Sequence, residues 1–195
     1  MKDKNLKKFV AIAMFSSIAY ILMLLNFPMP GFPPFLNIDF SDIPALLAAV
    51  IFGPLAGIVV ELIKNILDYA MTGSETGIPI GHMANFIAGV AFVLPSYYIY
   101  NKFTNKKGLV VGLSVATIFM AVLMAMLNYF VILPAYTVFA HWDVMSSAET
   151  RSLVTTAILP FNIIKGILMT CITLLLFGKL QSWLAKISPM YQLHK

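Results

Sequence analysis

The chain is short of cysteine and of charge. A single cysteine, Cys171, excludes any disulfide within the chain, and its place in an apolar run reads as packing. Charged residues are only 11% of the total, against 60% hydrophobic, with a mean hydropathy of +0.88. A soluble domain with so few charges has too little polar surface to cover its core. The catalytic signatures are missing too. The sequence holds no Gly-rich phosphate loop, no His-Glu-x-x-His, no nucleophile elbow and no Cys/His metal cluster. The chain is therefore read as no enzyme, with neither metal nor cofactor, and it hydrolyses no ATP by the phosphate-loop route. No internal repeat is evident, which weakens an inverted-repeat transporter.

What is present is an alternation. Ten of the thirteen Lys/Arg residues fall in three places: Lys2, Lys4, Lys7 and Lys8 at the start, Lys102, Lys106 and Lys107 in one polar break, and Lys179, Lys186 and Lys195 at the end. The acidic residues lie mostly in the other breaks, at Asp39, Asp42, Glu75, Asp143 and Glu149. Long apolar stretches run between. This is the positive-inside pattern, and it predicts a multi-pass protein of the cell membrane with both termini cytoplasmic. The bases beside apolar helices fit anionic membrane lipid rather than nucleic acid.

The fold expected is an all-α bundle of six transmembrane helices in a single membrane domain, residues 1–195. The helices fall at about 9–27, 43–53, 54–71, 82–100, 109–133 and 153–184. The first run, Phe9 to Phe27, is too long for a signal-peptide core and reads as a retained helix. Pro28 to Phe35 holds four prolines in eight residues and reads as an ordered loop packed on the bundle. Ser41 or Asp42 is placed to cap the second helix, with Pro44 in its first turn. Gly53-Pro54 divides the long run that follows into a short helix and a longer one. Pro134 is expected to end the fifth helix, leaving Ala135–Arg151 as an outer loop that carries Trp142.

Polar groups at membrane depth are expensive and usually functional. Asn162 and Lys165 lie three apart and share a helix face. In Leu159-Pro-Phe-Asn-Ile-Ile-Lys-Gly166, Pro160 frees a backbone carbonyl and Gly166 allows close approach. With Asn128, in Leu127-Asn-Tyr-Phe-Val-Ile-Leu-Pro134, these residues offer donors and acceptors to the edge of a heterocycle. Asp39, Phe40, Lys64, Asn85 and Tyr129 are further candidate contacts, and His82 either caps the fourth helix or faces the pocket. Glu61, Lys64, Asn65 and Asp68 form one stripe. It reads either as helical ion pairs, Glu61–Lys64 and Lys64–Asp68, or as ligand contacts. A self-sufficient ion-coupled secondary transporter working through that stripe stays open as an alternative. Ala13-x-x-x-Ser17 makes a small-residue ridge suited to close helix contact, internal or with a membrane partner.

Together, the Pro-rich loop with Asp39-Phe-Ser-Asp-Ile-Pro44, the Phe-Gly-Pro break and the two motifs around Asn128 and Asn162 resemble the substrate-binding S components of energy-coupling factor (ECF) vitamin transporters. The latter two motifs resemble the riboflavin-specific branch. The resemblance covers nearly the whole chain. It implies capture of riboflavin, as transported substrate, in an outward-opening pocket with Asn128, Asn162 and Lys165 on the flavin. It also implies delivery through a transmembrane coupling protein and two ATPase subunits, docked at the ridge of Ala13 and Ser17.

Overall fold

The structure, a computed structural model, describes residues 2–74 and 77–187. Glu75 and Lys195 lie outside the described residues, as do the side chains of Lys2, Lys4 and Lys186. Helix α1 is Lys2–Leu24, α2 Asp42–Phe52, α3 Pro54–Thr72 and α4 Ile80–Phe103. Helix α5, Lys106–Leu127, continues through a π-helical turn, Asn128–Ile132, into α6, Leu133–Phe139. Helix α7, Ser147–Leu153, continues through a second π turn, Val154–Ile158, into α8, Leu159–Ile187. Among the described residues these make six continuous helical rods, and four stretches are long and apolar enough to cross a membrane: Asn5–Leu24, Ile80–Phe103, Lys106–Phe139 and Ser147–Leu180.

The other two rods are the divided pair. Helix α2 has 11 residues, about 16 Å at helical rise, against a hydrocarbon thickness of ~30 Å. Helix α3 carries Glu61, Lys64 and Asp68. Gly53 joins the two at φ 98°, a left-handed backbone that a side chain would strain, and Pro54 starts α3 with a ring already set for a helix.

Several boundaries differ from the sequence reading, each for a local reason. Helix α1 begins at Lys2 rather than near Phe9, because nothing in the lysine-rich start breaks a helix. It ends at Leu24, where the Asn26 side chain donates to the Met23 carbonyl at 2.8 Å. Strand β1, Phe27–Pro28, then pairs antiparallel with β2, Asn37–Ile38, and pins both ends of the Pro-rich loop. Ser41 stands at the start of α2 but makes no side-chain cap, since its hydroxyl is engaged by Asp39 and Lys64. Pro134 does not stop the fifth rod; the π turn before it re-spaces the carbonyls that the proline ring would meet. The expected long loop therefore shrinks to residues 140–146. The sixth rod opens on a capping box, with Ser146 Oγ accepting from the Glu149 N–H and Glu149 Oε2 accepting from the Ser146 N–H. Cys171 is exposed on the outward face of α8 rather than packed inside.

The main core joins α2, α3, α4 and α5 through buried Ala45, Ala49, Val60, Phe92, Leu113 and Met120. A Cβ at Gly57 would come within 2.9 Å of Ala45 O, Ala49 Cβ and Val93 Cγ1, so glycine is what lets α3 seat against α2 and α4. A second cluster, with Leu36, Ile38, Leu133, Ile158 and Phe161, packs the Pro-rich loop onto the two π turns. Large side chains such as Phe9, Leu55, Ile66, Phe119 and Phe130 face outward, as suits lipid. One end of the bundle gathers the lysines: Lys8 Nζ donates to Phe52 O at 3.1 Å, and Tyr100 of α4 meets Phe177 of α8 edge-on. The other end carries the loop.

Candidate functional site

Residues from the Pro-rich loop, the C-terminal end of α3 and the start of α4 enclose a polar chamber of about 380 Å³. Beside it, between α4, α5 and α8, lies a smaller chamber of about 110 Å³ lined by Asn128, Asn162 and Lys165. The two share Phe35, Asn37, Gly81, Asn85 and Tyr136 along their boundary. The larger is within the usual range of small-molecule sites.

The amides sit where they do because both helices are re-spaced next to them. Asn128 is the first residue of its π turn and donates to Met124 O at 2.8 Å. Asn162 follows the other π turn and donates to Ile158 O at 2.8 Å. In each rod the π turn ends on the isoleucine of an Ile-Leu-Pro step, Ile132-Leu133-Pro134 and Ile158-Leu159-Pro160. The missing proline N–H and the ring's conflict with the carbonyl four residues back both favour the wider turn. With one amide N–H tied to its own helix, each asparagine keeps its second N–H and its carbonyl for other partners. Gly166 lets α8 approach α5: a Cβ there would collide with Thr117.

Two lysines are buried near this site, and they are held differently. Lys165 Nζ lies 3.1 Å from Asp39 Oδ2, while Asp42 Oδ2 at 3.8 Å is beyond hydrogen-bond distance. An ammonium has three donors, so Lys165 keeps unsatisfied donors at the chamber wall. Asp39 also accepts from Ser41 N at 2.9 Å, from the Ser41 hydroxyl and from Asn85 Nδ2 at 3.4 Å. The loop is thereby tied to α4 and α8 through one carboxylate. Lys64, fully buried, meets Asp42 Oδ1 at 2.5 Å, Ser41 Oγ at 2.6 Å and Glu61 Oε2 at 2.7 Å. It lines neither chamber. Of the two helical pairs expected on α3, only Glu61–Lys64 forms. Asp68 instead lies 3.0 Å from His82 Nε2 across to α4, because Lys64 is drawn to Asp42.

Asp39 and Asn85 line the larger chamber, and His82 faces it rather than capping α4, which starts after Pro79 with no side-chain cap. Phe40 and Tyr129 line neither chamber. Phe40 is wedged between the two cores, against Phe27, and Tyr129 borders an outer groove with Leu133 and Met145. Asn26, Asn37 and Thr72 join the cavity without having stood out in the sequence. The only sequence hint was that two of them flank the Pro-rich loop. Over the cavity, Tyr136 stacks on Trp142 at 4.7 Å, Phe35 meets Trp142 at 5.3 Å, and Phe32 meets Phe161 at 6.0 Å. An aromatic cover thus closes a site with an apolar wall and convergent amides, suited to a flat heterocycle with a polar tail. Among the described residues no cluster of potential metal ligands occurs.

The family model for the ECF transporter, substrate-specific component, matches residues 7–177. The chain belongs to that family. A multi-pass membrane bundle is accordingly its fold, and transport rather than catalysis is its class of work, which sets aside the ion-coupled secondary transporter. Among curated relatives, the riboflavin transporter FmnP of Bacillus subtilis is 52% identical over 92% of this chain and 95% of its own. The riboflavin transporter RibU of Staphylococcus aureus is 43% identical over 93% and 94%. A solved structure of the S component of a bacterial ECF transporter superposes with a TM-score of 0.77 at 42% identity, covering 92% of this chain and 98% of that one.

Proposed function

We propose that this S component binds riboflavin outside the cell in the two-chamber cavity and delivers it through an ATP-driven complex. In that complex a transmembrane coupling protein is joined by two ATPase subunits. The observation that carries this reading is the convergence of Asn128, Asn162 and Lys165 on a chamber walled by Met124, Ile132 and Phe161. A flavin offers a flat ring with a carbonyl and amide edge to such a wall. The riboflavin transporters among its relatives add support.

Titration of the purified protein tests it, because Trp142 stacks on Tyr136 at the cavity wall. Riboflavin is expected to quench tryptophan fluorescence with one-to-one stoichiometry at micromolar concentration or below. Absence of quenching by riboflavin, with binding of thiamine or biotin instead, overturns the assignment.

Both termini are placed in the cytoplasm, on the strength of the lysines at the bundle end opposite the cavity. An impermeant thiol reagent on intact cells is expected to label a cysteine at Ser146 and to spare one at Asn105, once the exposed Cys171 has been replaced. The reverse pattern overturns the orientation. Docking of the coupling protein is assigned to Ala13 and Ser17, which are exposed while Ser16, Ala19 and Met23 on the same helix turn inward. Ala13→Trp is expected to leave riboflavin binding near normal and to abolish uptake in cells carrying the whole complex. Intact uptake moves the docking face elsewhere.

A further inference from the structure

At the bundle end opposite the loop, α4, α5 and α8 border a groove of about 210 Å³ that belongs to neither chamber. Buried Tyr100, Leu109 and Phe177 form its floor, and Thr104, Asn105 and Lys106 form its polar end. Three membrane-crossing stretches meet there: Ile80–Phe103 stops at the groove, Lys106–Phe139 starts at it and Ser147–Leu180 ends beside it. The polar end therefore stands at headgroup level, while Leu109 and Leu174, about one turn farther in, stand level with acyl chains. Lys102, Lys107 and Lys179 are exposed at the same end, and α4, α5 and α8 contain no acidic residue to neutralise them. Among the described residues Lys106 joins no ion pair. Gly178 borders the groove too. A Cβ at Gly57, Gly89 or Gly166 would collide with a neighbour, whereas one at Gly178 would meet nothing within 4 Å. A glycine inside a helix is less favourable than alanine. At Gly178 no close packing offsets that cost, and what the missing side chain leaves is an open groove.

We propose that this groove binds one anionic glycerophospholipid, with the phosphodiester at Lys106 and Asn105 and an acyl chain along Leu109, Val110 and Leu174. The site lies apart from the substrate cavity and is independent of which solute is carried. Asn105 accepts from the Gly108 N–H at 2.7 Å through its side-chain carbonyl, which leaves its amide N–H groups as donors. The Lys106 ammonium adds three more. A phosphodiester is acceptor-only and carries one negative charge, so it meets donors and cations alone. A zwitterionic lipid of the same shape brings a quaternary ammonium, and α4, α5 and α8 offer it no carboxylate. The neighbouring lysines repel it. The anionic lipid is therefore the preferred occupant.

Native mass spectrometry of the purified full chain tests it, with phosphatidylglycerol and phosphatidylcholine of the same acyl chains titrated separately. The readout is the ratio of the two dissociation constants for the first lipid bound, because loss of folded protein weakens both lipids alike. The wild type is expected to favour phosphatidylglycerol by at least about tenfold. Lys106→Gln is expected to narrow that ratio by roughly fivefold, the worth of one lysine beside an anionic lipid. Gly178→Leu places a side chain in the open groove and is expected to bring the two constants within about twofold of each other. Lys7→Gln, on α1 and outside the groove lining, is expected to leave the ratio unchanged. Equal binding of the two lipids by the wild type overturns the site. So does either groove substitution that leaves the ratio within about twofold of the wild type. A loss with Lys7→Gln as large as with Lys106→Gln overturns it as well, because the preference would then come from diffuse charge rather than from the groove.

Discussion

Lys64 and Lys165 are both buried, both on helices and both beside carboxylates, yet they do different work. Lys64 donates to Ser41 and Asp42 and forms an ion pair with Glu61, so its three partners come from α2, from α3 and from the residue just before α2. It is a rivet. Lys165 has one close partner, Asp39, and its remaining donors stand at a cavity wall. The lesson is that a buried charge marks function only where its bonding is left incomplete next to open space. Burial alone does not separate the two.

The comparison breaks most easily at the rivet. Lys64→Ala leaves Asp42 and Glu61 buried without their cation, and removing one partner of a buried pair costs about 3–5 kcal/mol. Thermal unfolding in detergent is expected to show a large drop in midpoint, with binding lost only as folded protein is lost. An unchanged midpoint would mean that the α2–α3 contact is held by apolar packing alone.

Next in size are the cavity-wall groups. Asn162→Ala and Lys165→Ala are expected to weaken riboflavin binding by roughly 5–150-fold, the cost of about 1–3 kcal/mol for a lost hydrogen bond to a buried ligand. Lys165→Ala also strips Asp39 of its cation, so it is expected to lower stability as well, which Asn162→Ala does not. Fluorescence titration together with unfolding separates the two components. Asn128→Ala is expected at the lower end, about fivefold, in the same titration.

The smallest effect sharpens the contrast. Glu61→Gln, on a side chain that is fully buried and lines neither chamber, is expected to change riboflavin affinity by less than about threefold. If it weakens binding more than Asn162→Ala while the protein stays folded, the α3 stripe is the site after all.

The residues explain how much of this was legible in the sequence. The rods could be read because long apolar runs and clustered lysines are local signals, and so could the break at Gly53-Pro54. Asn162 and Lys165 could be placed together because three residues on a helix share a face. What escaped depended on distance along the chain. The Lys165–Asp39 pair joins residues 126 positions apart, and no spacing rule reaches that far. Helical spacing offered Asp68 to Lys64, but Asp42, 22 residues away, took it. Pro134 read as a stop because a proline normally ends a helix; only the π turn before it, invisible to a 3.6-residue period, lets the helix go on. Cys171 read as packing because an apolar run looks the same whether it faces protein or lipid.

The two π turns also change the phase of the rods that contain them. Each inserts one residue beyond the ordinary count, and one residue of an α-helix corresponds to a rotation of about 100°. The helical segments before and after a π turn therefore present faces that a straight helix could not align. In the sixth rod, Val154 and Ile158, at the two ends of the π turn, meet the Pro-rich loop, while Asn162 and Lys165, farther along, meet the cavity and Asp39. The fifth rod does the same with Asn128 and Leu133. One continuous rod can thus serve two surfaces at once, the cover and the floor of the site, and the spacing between them is set by an inserted residue rather than by a loop.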